Sequence, residues 1–314
     1  MKILFIGNSR LGDAILSTGL LNKFNKPSNN ITLVSSPLSM EIYESFPCVK
    51  KTIIVKKKKY SSHWIDVYKK LDSITWDIVI DLRNSIVTRV IKKKKIYRYF
   101  KDNSEKHKLE VLSNFIRSEK ILAPMIYTKK EHKDEAKYFL TNIKPKAKIL
   151  AVSPATNWQR KNWPIKNFSL LINKIIENKH IFKISDVIIF GSSSEQKMCE
   201  ILKKKINSKN VHNFSGNKKI LTIFEIMKSC EVFIGNDSGL SHLAAASKIK
   251  TLALFGPSKE NKYRPWGVNS HFIRTNESFE ELINQPNYSR FDKSSLMKSL
   301  SMDRVYGKLK LIML

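Results

Sequence analysis

The sequence has no stretch of 18 apolar residues, which excludes an apolar helix long enough to span a bilayer. Its opening, MKILFIGNSRLGD, holds an apolar run too short for a secretory signal core, so a cytoplasmic protein is expected. Cysteine is scarce. Cys48, Cys199 and Cys230 lie far apart, lack the paired spacing of a zinc site or a dithiol, and read as buried, reduced thiols. Acidic residues are few: 27 Asp and Glu face 57 Lys and Arg, a net charge of +30. The excess is scattered lysine, with runs at Lys56–Lys59, Lys92–Lys95 and Lys203–Lys205, and no nucleic-acid module accompanies it. The expected reading is a lysine-biased genome filling solvated positions, plus attraction to an anionic membrane face. Nucleic acid is not expected as a partner.

Several chemical signatures are also missing. Gly7 and Gly12 are five apart, so the dinucleotide fingerprint is absent, and so is a Walker A loop. No two Asp residues stand at i, i+2, which removes the DxD metal site of many sugar transferases. No His pair has zinc spacing and no nucleophile elbow occurs, so neither a metal nor a resident cofactor is expected. No internal repeat is visible.

What is present is a strand–turn–helix rhythm. The 314 residues, 42% hydrophobic, allow two domains with real cores. Strands are expected at Lys2–Gly7, Ile31–Ser35, Lys51–Val55 and Trp76–Leu82, with helices between them. The basic region 92–130 gives no firm pattern. Thr141–Lys148, TNIKPKAK, reads as a linker, after which the rhythm restarts at Ile149–Ser153, Asp186–Phe190, Val232–Ile234 and Thr251–Phe255. A helix is expected over Ser294–Ile312. The expectation is therefore an α/β protein with two Rossmann-like domains of parallel strands facing a cleft, 1–144 and 145–292, and a closing helical segment, 293–314.

In such sheets, ligands bind at the carboxyl ends of the strands. The best-placed polar residue there in the first half is Asp13, with Ser9 and Arg10 nearby. In the second half there are Thr156, Lys161, Glu195, Asp237, Ser238 and His242. The stretch EVFIGNDSGLSHLAAASKIKTLALFGPS, from Glu231 to Ser258, packs strand, turn, helix and strand into one unit. Ser238 is placed as an N-cap, and the helix beginning at Gly239 offers unpaired N–H groups and a positive dipole end to a phosphate. His242 lies one turn on, at the same mouth. Lys161 supplies a cation and Glu195 a hydroxyl acceptor. Bland alternatives stand beside each: a plain strand-to-helix turn, a half-buried histidine, one lysine among many, and first-turn helix charges for Asp13 and Glu195.

Together these motifs resemble glycosyltransferase family 9, the heptosyltransferases of lipopolysaccharide inner-core assembly. The likeness is carried by Ser9–Asp13 (SRLGD), Thr156 through Lys161-Asn162-Trp163-Pro164, Gly191–Glu195 (GSSSE), Gly235–Ala246 (GNDSGLSHLAAA) and Leu254–Ser258 (LFGPS), in that order along most of the chain. Ser238 stands where Thr is common in relatives. The resemblance implies the GT-B fold and a closing helix that returns to the first domain; a monomer is expected. It implies inverting, metal-free transfer of a heptose from ADP-heptose to a hydroxyl of a lipid-linked glycan, at the cytoplasmic membrane face. By the same likeness Asp13 is the general base, with Ser9 and Gly12 supporting its turn. Thr156, Lys161, Asp237, Ser238, Gly239 and His242 hold the donor's diphosphate and sugar, and Glu195 holds its ribose. The alternatives are another GT-B enzyme, transferring a different sugar or epimerising one, and a non-catalytic basic binding protein.

Overall fold

The computed structural model describes residues 1–56, 59–144, 147–216, 218–286, 288–289 and 291–314. Lys57 and Lys58 of the first lysine run, and Pro145 and Lys146 of the expected linker, lie outside the described residues. The chain forms two compact units, Met1–Lys129 and Lys130–Leu314.

The first unit is built on β1 (Lys2–Ile6), β2 (Asn30–Ser35), β3 (Val49–Ile54), β4 (Trp76–Asp81) and β5 (Lys93–Arg98). The order across the sheet is β3-β2-β1-β4-β5, and every pair is parallel. The sequences sort by position. The central strands KILFI and WDIVID are apolar runs, as strands covered on both faces must be. The lysine-bearing strands VKKTII and KKKIYR take the two edges, where charge discourages strand addition. One face packs Leu4, Ile6, Val34, Val67, Leu71 and Trp76 together. Helix Leu11–Lys23 meets the chain at Leu122–Met125, and a Cβ at Gly19 would lie 2.2 Å from the Leu122 carbonyl oxygen, so only glycine allows that approach.

The second unit contains β6 (Ile149–Ser153), β7 (Asp186–Ile189), β8 (Val211–Asn213), β9 (Val232–Asn236), β10 (Lys250–Phe255) and β11 (Ser270–Arg274). Its order is β11-β10-β9-β6-β7-β8, again all parallel, which is the doubly wound order with β6 as first strand. In both sheets the chain reverses its direction of travel beside the first strand, between β1 and β4 and between β6 and β9.

Three boundaries differ from expectation. Helix Lys130–Leu140 was placed in the first domain, before the linker, and it belongs to the second unit. Thr222 Oγ1 donates to Glu135 Oε2 at 2.6 Å, and Phe139 and Phe214 stack with centroids 5.6 Å apart. The helix expected from Ser294 starts at Met302, because residues 295–300 are engaged in tertiary hydrogen bonds described below. That final helix, Met302–Met313, is built into the second unit's own core: Val305 and Leu309 are buried with Leu171 and Phe168, and Tyr306 meets Phe182.

Candidate functional site

The loops after β6 and β9 open side by side at the switch point of the second sheet. Lys161 lies in the 3-10 turn Gln159–Lys161, after β6, and its ammonium bonds the carboxylate of Asp237, one residue past β9. Asp237 is buried and Lys161 is partly exposed, so the pair presents its cationic side outward. Lys161 Nζ also stands 5.9 Å from the centre of the Trp158 ring.

Helix Gly239–Ala246 begins two residues after that carboxylate. Ser238 occupies the N-cap position with extended backbone (φ −150°, ψ 174°), but its hydroxyl does not cap the helix as expected. Ser238 Oγ is turned inward, buried, and without a hydrogen-bond partner among the described residues. The first-turn N–H groups therefore keep their full capacity for an anion, next to a lysine. Ser241 Oγ donates to the Ser238 carbonyl at 2.7 Å, which fixes the turn, and His242 is buried in the same helix.

Thr156 is buried in the loop after β6. Its hydroxyl donates to Trp158 O at 2.8 Å and accepts from Trp158 N at 3.2 Å, so it staples its own loop. Glu195, in the loop after β7, forms a capping box: Ser192 N donates to Glu195 Oε2 at 2.7 Å. The first-turn role anticipated as the bland alternative for Glu195 is the one this structure shows. The structure thus brings Thr156, Lys161, Asp237, Ser238, Gly239 and His242 to one switch point, with Glu195 on the neighbouring loop of the same sheet edge.

In the first unit, Asp13 sits in the first turn of helix Leu11–Lys23, after β1, and is partly exposed. Gly12 precedes it within that turn, and exposed Arg10 takes the N-cap position without capping the helix. The turn is held from below. Ser35 and Ser39 hydroxyls donate to the Asn8 carbonyl at 3.1 and 2.6 Å, and Ser36 donates to the Ser9 carbonyl at 3.0 Å. Asn8 Nδ2 donates to the Asp13 carbonyl at 3.2 Å. Tyr43 lies fully buried beneath, its hydroxyl within 2.7 Å of Ser17 Oγ, and burial pushes its pKa well up, with the Asp13 charge adding a smaller push. Asp81, at the end of β4, is fully buried and accepts from Arg83 N, Ser85 N, Ser85 Oγ and Thr88 Oγ1 at 2.7–2.9 Å. Four donors to one carboxylate make it a structural anchor for the loop.

Two groups of positioning residues were not singled out from the sequence. Asn236, the last residue of β9, is fully buried. Its Oδ1 accepts from Trp163 N at 3.0 Å and its Nδ2 donates to Pro154 O at 2.9 Å, tying both ends of the Lys161 loop to β9. It stood inside a recognised motif, and that was its only signal. The second group is the chain before the last helix. Leu296 N donates to Arg160 O at 2.9 Å, Ser295 Oγ to Asn162 O at 2.6 Å, and Trp163 Nε1 to Leu300 O at 2.7 Å. Arg160, itself buried, bonds the Ser289 carbonyl and lies over the Tyr288 ring at 4.7 Å. The residues on both sides of Lys161 are thus fixed to this strap, while Lys161 itself turns to Asp237.

A family model described as Glycosyltransferase family 9 (heptosyltransferase) matches residues 106–290. The lipooligosaccharide heptosyltransferase 2 of Campylobacter jejuni serotype O:6 is 27% identical over 279 residues, covering 85% of each chain. The Haemophilus influenzae protein of the same name is 23% identical over 327 residues, covering 90% of each. Among solved structures, a glycosyl transferase family 9 protein from Veillonella parvula superposes with a TM-score of 0.85 at 18% identity, covering 99% of this chain and 97% of that one. The E. coli ADP-heptose lps heptosyltransferase II gives 0.75 at 18% identity, covering 100% and 98%. These two structural likenesses are of fold, the pair of Rossmann-like domains of the GT-B class. With the family model matched over more than half of its length, the chain belongs to glycosyltransferase family 9 and is a glycosyltransferase.

Proposed function

We propose that this enzyme transfers a heptose from ADP-heptose to a hydroxyl of a lipopolysaccharide-core or related lipid-linked glycan, with inversion and without a metal. It acts as a monomer at the cytoplasmic face of an anionic membrane. The observation that carries this reading is the Lys161–Asp237 pair set against the N-terminus of helix Gly239–Ala246, which no side chain caps, at the switch point of the second sheet. A leaving diphosphate gains negative charge as its bond to the anomeric carbon breaks. A lysine and oriented N–H groups stabilise that charge most in the transition state. The names of the Campylobacter and E. coli relatives support the sugar and the nucleotide.

The other half of the chemistry falls to Asp13. A sugar hydroxyl is a poor nucleophile, so a carboxylate must take its proton as the oxygen attacks. One displacement, with one carboxylate accepting one proton and ADP departing, inverts the anomeric centre. Ser9 and Gly12 shape the turn that presents Asp13. Thr156 and His242 complete the donor site, and Glu195 receives the ribose once its carboxylate leaves Ser192 N.

The test is transfer by the purified protein from ADP-heptose in the presence of chelator. Asp13→Asn is expected to lose about 10²–10⁴ of turnover, the usual worth of a general base, while ADP-heptose still raises the melting temperature. Near-normal turnover by Asp13→Asn removes it as the base. A thermal shift with a different nucleotide sugar, and none with ADP-heptose, assigns another donor.

A further inference from the structure

The first unit carries a feature outside the site described above. One face of its sheet is covered by helix His63–Leu71 and by the four-residue helix Val87–Val90 in the crossover from β4 to β5. So short a crossover leaves the cover incomplete. An apolar groove of about 480 Å³ remains, lined by Tyr60, Trp64, Ile65, Tyr68, Ile86 and Val90. These are not core residues caught at an edge. Ile65, Ile86 and Val90 are 59%, 56% and 62% exposed, and Tyr60 is fully exposed. Tyr60 also holds a left-handed backbone (φ 52°), a conformation costing an ordinary residue about 1–2 kcal/mol, with no burial of its ring in return.

Charge identifies the occupant. Residues 56–95 hold 12 Lys and Arg against 4 Asp. Lys56, Lys59 and Arg89 are exposed next to the groove residues, and the Arg83 guanidinium lies 5.2 Å from the centre of the Trp64 ring. Of the four Asp, Asp66 lies on the helix and Asp72 just past its end, while Asp77 pairs with Lys94 and Asp81 is buried. Exposed aliphatic tips, three aromatic rings with polar edges and a cationic border match the boundary between acyl chains and anionic headgroups. A second copy of a +30 chain would bring like charge to like, and a nucleic acid would gain nothing from Ile65, Ile86 and Val90. From this groove and its basic border we infer that the enzyme docks on an anionic lipid bilayer through Tyr60, Trp64, Ile65, Ile86 and Val90. This deepens the membrane partner of the proposed function by naming the surface that meets it.

The probe is vesicles of phosphatidylcholine with and without phosphatidylglycerol, with no sugar substrate present, so the outcome is separate from that of the transfer assay. Full-length protein is expected to co-sediment with the anionic vesicles. The triple variant Ile65→Ser, Ile86→Ser, Val90→Ser should bind them at least roughly tenfold more weakly, since three apolar side chains no longer enter the bilayer. These side chains are exposed, so its melting temperature should match wild type. Bromine-labelled lipid should quench tryptophan emission in wild type and lose part of that effect in Trp64→Leu. A second triple variant, Lys93→Ser, Lys94→Ser, Lys95→Ser, lies on the edge strand β5 and should keep most of the apolar contribution. Equal binding by wild type and the apolar variant overturns the inference, because charge alone would then hold the protein. Equal binding to neutral and anionic vesicles, or none to either, overturns it as well.

Discussion

Asn236 carries no charge at neutral pH, yet it ties the loop of the proposed donor site to the strand beside it. Its amide holds the Pro154 carbonyl with one atom and the Trp163 amide with the other, so the loop bearing Lys161 is fixed at both ends to the strand bearing Asp237. Truncation leaves two buried backbone groups without partners, at roughly 1–3 kcal/mol. Asn236→Ala is therefore expected to lower the urea midpoint of the second unit and to weaken ADP binding. Unchanged stability and affinity would mean that water replaces the amide. Lys161 is a different case. It already has a carboxylate partner, so its removal strands Asp237, and on the proposed function it also deprives the leaving group of its cation. Lys161→Ala should reduce kcat/KM by about 10²–10³, comparable to loss of one oxyanion donor. Lys161→Ala with Asp237→Ala should fall short of the product of the two single effects, because the side chains act as a unit. Multiplicative losses in that cycle would show that the ion pair has no part in donor recognition.

At the scale of elements, the strap before the last helix fixes the residues on both sides of Lys161. The indole N–H of Trp163 donates to the Leu300 carbonyl in a fully buried setting. Trp163→Phe keeps most of the apolar volume and removes that donor. Amide exchange across residues 295–300 should then speed up, at a stability cost of roughly 1–3 kcal/mol. Exchange that stays slow there would show that Ser295 and Leu296 hold the strap alone. This element also shows where sequence reasoning stops. Ile3–Ile6, Ile149–Ser153 and Val232–Ile234 are legible as strands because a parallel strand covered on both faces must be an unbroken apolar run. The sheet edge carrying Lys161, Asp237 and Gly239 follows from that rhythm alone. β11, SHFIR, is half-buried throughout and too short for a period to stand out. Ser294–Leu300 carries helix-compatible residues, but the Leu296 N–H, the Ser295 hydroxyl and the Leu300 carbonyl are bonded to Arg160, Asn162 and Trp163, more than 130 positions away, and no local pattern records such a claim. Helix Lys130–Leu140 lies outside the expected first domain for the same reason: Thr222, which bonds its Glu135, is 87 residues downstream of that residue. Ser238 and Glu195 were legible as residue types at strand ends, but the direction of a hydroxyl or carboxylate was not.

For the whole molecule, alkaline conditions act on buried acids that the fold keeps protonated, among them two thiols. Cys199 and Cys230 are free, buried thiols of the second unit, and burial pushes them up to about 11 and about 12 from an ordinary value of 9.0. In the unfolded chain they ionise near that ordinary value, while the folded chain keeps both protons. The unfolded state thus binds fewer protons between pH 9 and about 11–12. The stability these thiols confer is complete below pH 9 and is lost as pH rises through that window, by up to about 1.4 kcal/mol per pH unit for each. A countervailing trend runs through the same range, because the chain approaches its isoelectric point near 9.9 and self-repulsion relaxes. The thiols decide the sign. Burial separates the folded thiols from the ordinary value of 9.0 by about 2 and about 3 pH units, and that separation sets the expected slope. In reductant, the urea midpoint of the second unit should fall steadily from pH 9 to pH 10.5. Cys199→Ala with Cys230→Ala should flatten that fall even though it begins from a lower midpoint at pH 7, where the lost side-chain packing is felt. Parallel slopes for wild type and double variant would assign the alkaline loss elsewhere, with buried Tyr43 of the first unit, whose hydroxyl is also pushed up, the next group to replace.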